Sequence, residues 1–451
     1  MRRMRSAMAR AWLWGLGLMV AVDARAEVLT AEKAVQYALK YNSQVIGAEA
    51  DVLGAKSGLY GAYSGILPNL QASISRSGRL AKDAVGNQNI AGIASPPLTT
   101  LREESYATDP IITGRWSILN LSNLSDFSSA RSGLRAAKQS QQAARNDVAL
   151  ATRRQFYEVV RAIRLALVNN AALRLSRDDE RRVRALFEVG SVSRSELYRA
   201  QVRSSQSELD SVLSWHAVTV QRIALARLLG VAEARMGEVD TVLTANVIEV
   251  DEPSVLAAAI KSRPDLMAAD NELSAAKAAV NSARFLRLPY VTLSGQAAFQ
   301  SSQTSAFEQP GDVNGNTNFE TDRAYGGQVA LNWDFFDGLA TDSRIAAAHA
   351  RELRVRDNRD ALYRNLESEV HQAVMTYREA VESDRLARST MASATENLKL
   401  IQEKYNVGSS TILDLIDAQV QLQRAASDVV SALAAIRVAE AQLNRVRGRA
   451  E

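Results

Sequence analysis

The sequence predicts a mainly helical protein with a small β part, arranged as an internal two-fold repeat. One helix–turn–helix pattern occurs twice, with Gly190 and Gly408 at equivalent positions 218 residues apart. The intervals 121–187 and 339–405 lack proline and are rich in Ala, Arg, Glu, Gln and Leu, a composition that favours helix. Two segments in each half alternate apolar and polar residues, which is the period of a β-strand.

The chain begins with the features of an export signal. Four arginines among the first ten residues precede an apolar run at 11–22 and an Ala-x-Ala site at 24–26. We therefore expect a signal peptide over residues 1–26 and a mature chain with equal numbers of basic and acidic residues. That balance argues against a broad basic surface for nucleic acid. The lack of cysteine excludes disulfides, thiolate metal sites and a lipidated cysteine.

Each repeat is predicted to contain a helix, two strands joined by a polar loop, a long helix, a tip turn and a closing helix. In the first repeat (27–230) these elements lie at 31–66, about 69–77, about 110–119, 121–187, 188–193 and 193–229. In the second repeat (253–451) they lie at 254–287, about 290–300, about 325–336, 339–405, 406–411 and 411–446. A linker at 231–252 joins the repeats. Each long helix would extend about 100 Å, which favours coiled-coil packing.

The four predicted strands each have one apolar and one polar face. Leu70 and Ile74 alternate with polar residues in the first strand, and Val329 and Leu331 occupy one face of the last. A soluble sheet packed on helices would satisfy this pattern. We favour a barrel shared between copies, because the chain is exported and four strands alone would leave open edges in lipid. Aromatic residues near the strand ends fit an interfacial belt: Trp116, Tyr290, Tyr325 and Trp333.

The mature chain resembles the TolC family of outer-membrane export proteins throughout its length. The resemblance rests on a Leu-Pro pair after each alanine-rich helix, the strand exit WDFFDG at 333–338 and the turn YNVGSSTILDLIDAQ at 405–419. It implies a homotrimer in the outer membrane of a Gram-negative bacterium. Four strands from each chain would form one transmembrane β-barrel, continued into the periplasm by a long antiparallel helical barrel.

The resemblance also implies a function and partners. The trimer would be the outer-membrane channel of a tripartite efflux or type I secretion system, surrounded by outer-membrane lipid. A periplasmic adaptor and an inner-membrane pump or ABC transporter would complete the machine, and the channel would be a passive conduit gated at its helix tips. The alternative is a periplasmic coiled-coil adaptor or structural protein without a pore.

Asp414 and Asp417 match the family's pore constriction. At positions i and i+3 they share one helix face, and three-fold symmetry would turn them into carboxylate rings that narrow the mouth and favour cations. Asp414 has a second explanation as the capping-box partner of Thr411, as Glu196 has with Ser193. Both explanations remain open for Asp414, whereas Asp417 lies beyond the first helical turn.

The resemblance further implies a closed state held by bonds between neighbouring helix tips. Tyr405 and Glu196 match a tyrosine and its acidic partner, while Ser410 stands where the family has an arginine. Arg194, on the opposite tip, is a candidate replacement, and the full set of lock candidates is Tyr405, Glu196, Ser195, Arg194 and Ser410. The adaptor would meet the two tip turns at Gly190, Ser191, Gly408 and Ser409.

No pattern in the sequence indicates catalysis. The three histidines, His216, His349 and His371, lie far apart and form no metal-binding pair. A phosphate-binding glycine loop and a nucleophile elbow are both absent from the sequence. We therefore expect no enzymatic activity, no cofactor and no metal site.

Overall fold

The structure, a computed structural model, describes residues 28–85, 99–233, 236–245, 247–307 and 316–449. The predicted signal peptide lies outside the described residues. In chain order the described elements are α1 (Ala31–Tyr41), α2 (Ser43–Ser64), β1 (Asn69–Val85), β2 (Thr99–Leu119), α3 (Leu121–Glu188), α4 (Arg194–Leu229), α5 (Glu252–Ser262), α6 (Pro264–Phe285), β3 (Tyr290–Phe307), β4 (Asn316–Asn332), α7 (Ala340–Asn406) and α8 (Ile412–Val446). The predicted class, mainly helical with a small β part and a two-fold repeat, is confirmed.

Residue contacts divide the chain into two compact units, and each unit draws on both repeats. Unit 1 contains α1, α4, the linker that follows α4, the C-terminal parts of α3 and α7, and most of α8. Unit 2 contains α2, the sheet, α5, α6, the N-terminal parts of α3 and α7, and the end of α8. Among the helices in the described ranges, none combines the length and the apolar character needed to cross a membrane.

The helix expected at the start of each repeat is two helices. Asn42 separates α1 from α2 in an extended conformation, and its side-chain amide donates to the carbonyl of Leu228 at 2.9 Å. Arg263 is extended between α5 and α6 because it precedes Pro264, whose ring disfavours helical backbone at the preceding residue. The breaks occur at equivalent places in the two repeats, 221 residues apart.

The four strands form one antiparallel sheet in the order β1-β2-β3-β4, so β1 and β4 are its edges. β1 pairs with β2 as far as Val85, opposite Thr99, and β3 pairs with β4 as far as Ala306, opposite Asn316. These ladders continue into segments that the sequence predicts as polar loops. Backbone groups make the ladder, so pairing does not require an alternation of apolar and polar side chains.

The register gives the sheet an apolar face and a polar face. One row across the four strands is apolar, formed by Ala72, Ile112, Ala297 and Tyr325. On the other face, the row that begins at the first residue of β1 is polar. It is formed by Asn69, Arg115, Ser294 and Gln328. The alternation predicted from the sequence is therefore continuous across all four strands.

Two tryptophans bind the sheet to the helix–strand junctions of unit 2. The indole N–H of Trp116 donates to the carbonyl of Ile66 at 2.7 Å, and that of Trp333 donates to the carbonyl of Arg287 at 3.1 Å. Each carbonyl belongs to the residue just before a Leu-Pro pair. The same contact thus occurs in both repeats, and it fixes the strand end to the helix end.

Two glycines at helix ends provide a matched test of backbone packing. Gly448 and Gly408 both have positive φ, at 80° and 75°. A Cβ at Gly448 would lie 2.6 Å from the carbonyl oxygen of Ser262, whereas a Cβ at Gly408 would meet nothing within 4 Å. We expect Gly408→Ala to cost about 1 to 2 kcal/mol of backbone strain. Gly448→Ala should cost about 1 to 3 kcal/mol more, because it also forces the packed backbone apart.

The measurement is the apparent melting temperature of each variant in detergent. Gly448→Ala should lower it several degrees more than Gly408→Ala does. Equal shifts in the two variants would show that the close approach to Ser262 is not constrained.

Candidate functional site

The two tip turns, first (188–193) and second (406–411), have one backbone structure. Gly190 donates its N–H to the carbonyl three residues earlier at 3.0 Å, and Ser191 donates to the carbonyl five residues earlier at 2.8 Å. Gly408 and Ser409 repeat these bonds at 3.0 and 2.9 Å. The pair of bonds is the Schellman helix ending, which the positive φ of each glycine permits. All four of these residues, the predicted docking residues, are exposed.

One apolar cluster in unit 1 lies beside both tip turns. Its buried members come from α3, α4 and α8, and they are Val183, Ala200, Ile412 and Leu415. Partly buried residues pack against it from the first turn (Val192), from α4 (Leu197) and from α7 (Ile401 and Tyr405). Val192 lies in the first turn, and Tyr405 and Ile412 flank the second, so the two turns, distant in sequence, lie at the same cluster.

Asp414 forms a complete capping box at the start of α8. Its Oδ2 accepts from the backbone N–H of Thr411 at 2.8 Å, from the Thr411 hydroxyl at 2.7 Å and from the Ser410 hydroxyl at 3.0 Å. In return, the Asp414 N–H donates to the Thr411 hydroxyl at 3.2 Å. These bonds lower the pKa of the exposed Asp414 carboxyl, and the bond from the Thr411 backbone N–H has the largest effect. The cap therefore stabilises the start of α8 at any pH above the ordinary aspartate pKa, and this stabilisation is lost as the pH falls through the lowered pKa.

Asp417 takes no part in the cap. Its carboxylate is exposed and accepts from the side-chain amide of Gln421 at 2.7 Å, one turn further along α8. Asp414 and Asp417 lie on one exposed side of the helix, opposite the buried Ile412 and Leu415. Capping explains Asp414 but not Asp417, whose side chain bonds only Gln421 within the described residues, so the constriction role of the pair stays a prediction.

The lock candidates lie around the same cluster. Tyr405 is half-buried; burial raises the pKa of its phenol, and the negative charges of Glu196 and Asp179 act in the same direction. Glu196 donates its backbone N–H to the Ser193 hydroxyl at 3.3 Å. Between Tyr405 and Glu196, both within the described ranges, the chain makes no direct hydrogen bond.

The remaining lock candidates differ in their surroundings. Arg194 and Ser195 are exposed at the start of α4. Ser410, at the position of the family arginine, donates its hydroxyl to the Asp414 cap at 3.0 Å. The structure therefore assigns Ser410 a place in the α8 cap, and the lock itself remains a prediction.

The sequence alone did not single out Asp179, which is buried on α3 beside this site. Its Oδ2 accepts from the side-chain amide of Gln419 at 2.6 Å, and its Oδ1 lies 3.8 Å from a guanidinium nitrogen of Arg182. Burial raises the pKa of the Asp179 carboxyl, although the Gln419 bond and Arg182 oppose the shift. The bond joins residues 240 positions apart, so no local spacing pattern reveals it.

Comparison with known proteins agrees with the fold. Residues 255–449 match the family described as outer membrane efflux protein. The nodulation protein T of Rhizobium leguminosarum bv. trifolii is 27% identical over 338 residues, which cover 71% of this chain and 68% of that protein.

Two solved structures share the fold across almost the whole chain. The CmeC outer membrane channel of Campylobacter jejuni aligns with a TM-score of 0.74 and 18% identity, covering 93% of this chain and 85% of that one. The MtrE outer membrane channel of Neisseria gonorrhoeae, solved in an open state, aligns with a TM-score of 0.69 and 17% identity, covering 93% and 89%. The predicted location in the outer membrane is confirmed by the family. The match of residues 255–449 to this family and the shared fold confirm the resemblance to the TolC family of outer-membrane export proteins.

Proposed function

We propose that three copies of this chain form a passive conduit across the outer membrane and into the periplasm, as part of a tripartite efflux or type I secretion system. The observation that carries this proposal is the open four-stranded sheet with one apolar and one polar face. Within one chain, each edge strand pairs with a single neighbour. In lipid, an unpaired edge costs several kcal/mol for each unsatisfied backbone group, so the strands of neighbouring copies must complete the barrel.

The apolar face has the size of a membrane band. On β4 it is bounded by Leu331 and Arg323, which are eight steps or about 27 Å apart along the strand. After strand tilt this approaches the apolar band of about 25 Å found around membrane barrels. Ile74 and Val329 on this face are 75% and 69% exposed, so none of the helices that the structure describes covers them. A soluble sheet packed on helices would bury these side chains, which argues against that alternative.

The polar face would line the pore. Its side chains at the junction end border an open cavity of about 720 Å³, lined by Gln71, Thr113, Arg115, Ser294, Gln296 and Gln328. A wall of amide, hydroxyl and guanidinium groups suits a water-filled channel. This supports a conduit that is filled by diffusing cargo.

The tip site would provide the gate and the docking surface. In a trimer, Asp414 and Asp417 would form rings of exposed carboxylates that attract cations and narrow the entrance. The exposed turns at Gly190 and Gly408 would meet a periplasmic adaptor, which links the conduit to an inner-membrane pump. Energy would come from that pump.

The alternative, a periplasmic coiled-coil adaptor without a pore, would expose the apolar sheet face to water. Recording from planar lipid bilayers separates the two functions. Protein purified in detergent should insert and produce uniform conductance steps with cation preference. A protein that stays soluble without detergent and never produces a step would overturn the proposal.

A further inference from the structure

The site contains a buried carboxylate that neither the cap nor the proposed ring uses. The side chain of Asp179 on α3 is 8% exposed, and Gln419 on α8, whose amide it binds at 2.6 Å, is also buried. Burying an ionised carboxylate is unfavourable unless strong partners compensate. Here one neutral amide donates directly, and Arg182 is 3.8 Å from the other carboxylate oxygen. Two apolar residues of similar volume would often be as stable or more stable there, so the pair calls for another explanation.

The position of Gln419 on α8 provides an explanation for this buried polar pair. At about 100° per residue, Gln419 lies about 160° around the helix from Asp417 and about 140° from Asp414. It follows the buried Leu415 by one turn, on the side of α8 that faces the other helices of unit 1. Asp179 likewise precedes the buried Val183 by one turn on α3. The polar bond therefore extends the apolar contact and is directional, which an apolar contact is not.

Charged groups from several helices surround this bond. On α3 the charges of Asp178 and Arg182 act on Asp179. On α7, Tyr405 is influenced by Asp179, by Arg182 and by Glu196 of α4. The charge of Arg182 thus acts on both Asp179 and the lock candidate Tyr405, in a chain where Ser410 stands at the position of the family arginine.

We propose that the Asp179–Gln419 hydrogen bond is a positioning strut that fixes the rotation of α8 against α3 and thereby directs Asp414 and Asp417 into the pore mouth of the resting channel. This inference rests on the proposed function and deepens it. Rotation of α8 by a fraction of a turn would carry both carboxylates off the pore axis. The strut holds that rotation from the opposite side of the helix.

The test uses single-channel conductance of the full-length protein in planar bilayers. Gln419→Glu places a second carboxylate against Asp179, and at about pH 7.5 the two like charges repel. We expect a several-fold higher resting conductance. Lowering the pH to about 5 should return the conductance toward the wild-type value, because one proton shared by the pair restores the hydrogen bond.

Two further variants separate positioning from general destabilisation. Asp179→Gln/Gln419→Glu exchanges donor and acceptor, and should restore the wild-type conductance at both pH values. Asp178→Asn, at the exposed neighbour on α3, should leave the conductance unchanged. If Gln419→Glu inserts and conducts like the wild type at both pH values, or if the exchanged pair remains as conductive as Gln419→Glu, the strut is refuted. A wild-type protein that forms no channel would instead refute the proposed function.

Discussion

Replacing Asp414 and Asp417 together by asparagine should raise the single-channel conductance roughly twofold or more and remove most of the cation preference. In a trimer each substitution removes a whole ring of charge. Both carboxylates are exposed in one chain, and neither makes a salt bridge within the described residues. Asparagine keeps the size of the side chain and an oxygen that can accept the Thr411 bonds, so the start of α8 should stay folded.

The single variants distinguish the ring from the cap. Asp417→Asn removes charge without touching the cap and should already raise the conductance. Glu188→Gln, a neutralisation at the exposed end of α3, is the matched control and should leave the current unchanged. If the double variant conducts as the wild type does, with the same ion selectivity, the two aspartates do not form the constriction.

Replacing Arg263 by methionine should destabilise unit 2 by about 2 to 4 kcal/mol. Arg263 is 6% exposed, and its guanidinium binds Asp265 and Glu369, each at 2.5 Å. Glu369 also pairs with Arg445, which binds Asp147 at 2.9 Å. Removal of one member of a buried ion pair typically costs about 3 to 5 kcal/mol, and the partial exposure of the two acids reduces that figure.

The effect of this substitution should depend on pH. Burial acts to raise the pKa of Asp265, but the hydrogen bonds and charge of Arg263 outweigh it and hold the pKa below its usual range. The stabilisation is therefore complete above the ordinary aspartate pKa and is lost as the pH falls through the lowered value. Urea unfolding in detergent, followed by tryptophan fluorescence, should show a large difference between variant and wild type near neutral pH and a smaller one in acid.

Arg359 supplies the control for this measurement. It pairs with Asp270 and Asp360 at 2.8 and 2.9 Å, but its side chain is 35% exposed. Arg359→Met should cost less than about 1 kcal/mol, as is usual for surface pairs. Equal losses for Arg263→Met and Arg359→Met would show that the Arg263 network does not stabilise unit 2.

Features encoded by short stretches of sequence were predictable. The two tip turns depend on a glycine and a following cap within about ten residues, and their bonds form at Gly190 and Gly408 alike. The two faces of the sheet follow from alternation near Leu70 and Val329. The break at Arg263 also had a local signal in Pro264, whereas the break at Asn42 depends on a bond to Leu228 that only the fold reveals.

Features that depend on distant partners were not predictable. The strands continue beyond the alternating segments because backbone pairing requires no side-chain pattern, so their outer ends were missed. Asp179 was missed because Gln419 reaches it across the fold and nothing near it in sequence marks it. The roles of Asp414 and Asp417 need neighbouring copies, so they remain predictions that the conductance experiments test.

The central claim is that the edge strands of neighbouring copies pair with each other, and disulfide cross-linking tests it most directly. The chain has no cysteine of its own, so introduced thiols are the only ones present. Within one chain β1 and β4 are separated by two strands, hence by about 14 Å, which is beyond the reach of a disulfide. Any bond between them must join two copies.

Ser73→Cys on β1 should therefore be combined in turn with Gly326→Cys, Gln328→Cys and Ala330→Cys on β4, all on the polar face. We expect one of these combinations to give covalent dimers and trimers, ending at the trimer, in outer membranes analysed without reductant. Monomers alone in every combination, or ladders that continue beyond the trimer, would contradict the shared barrel.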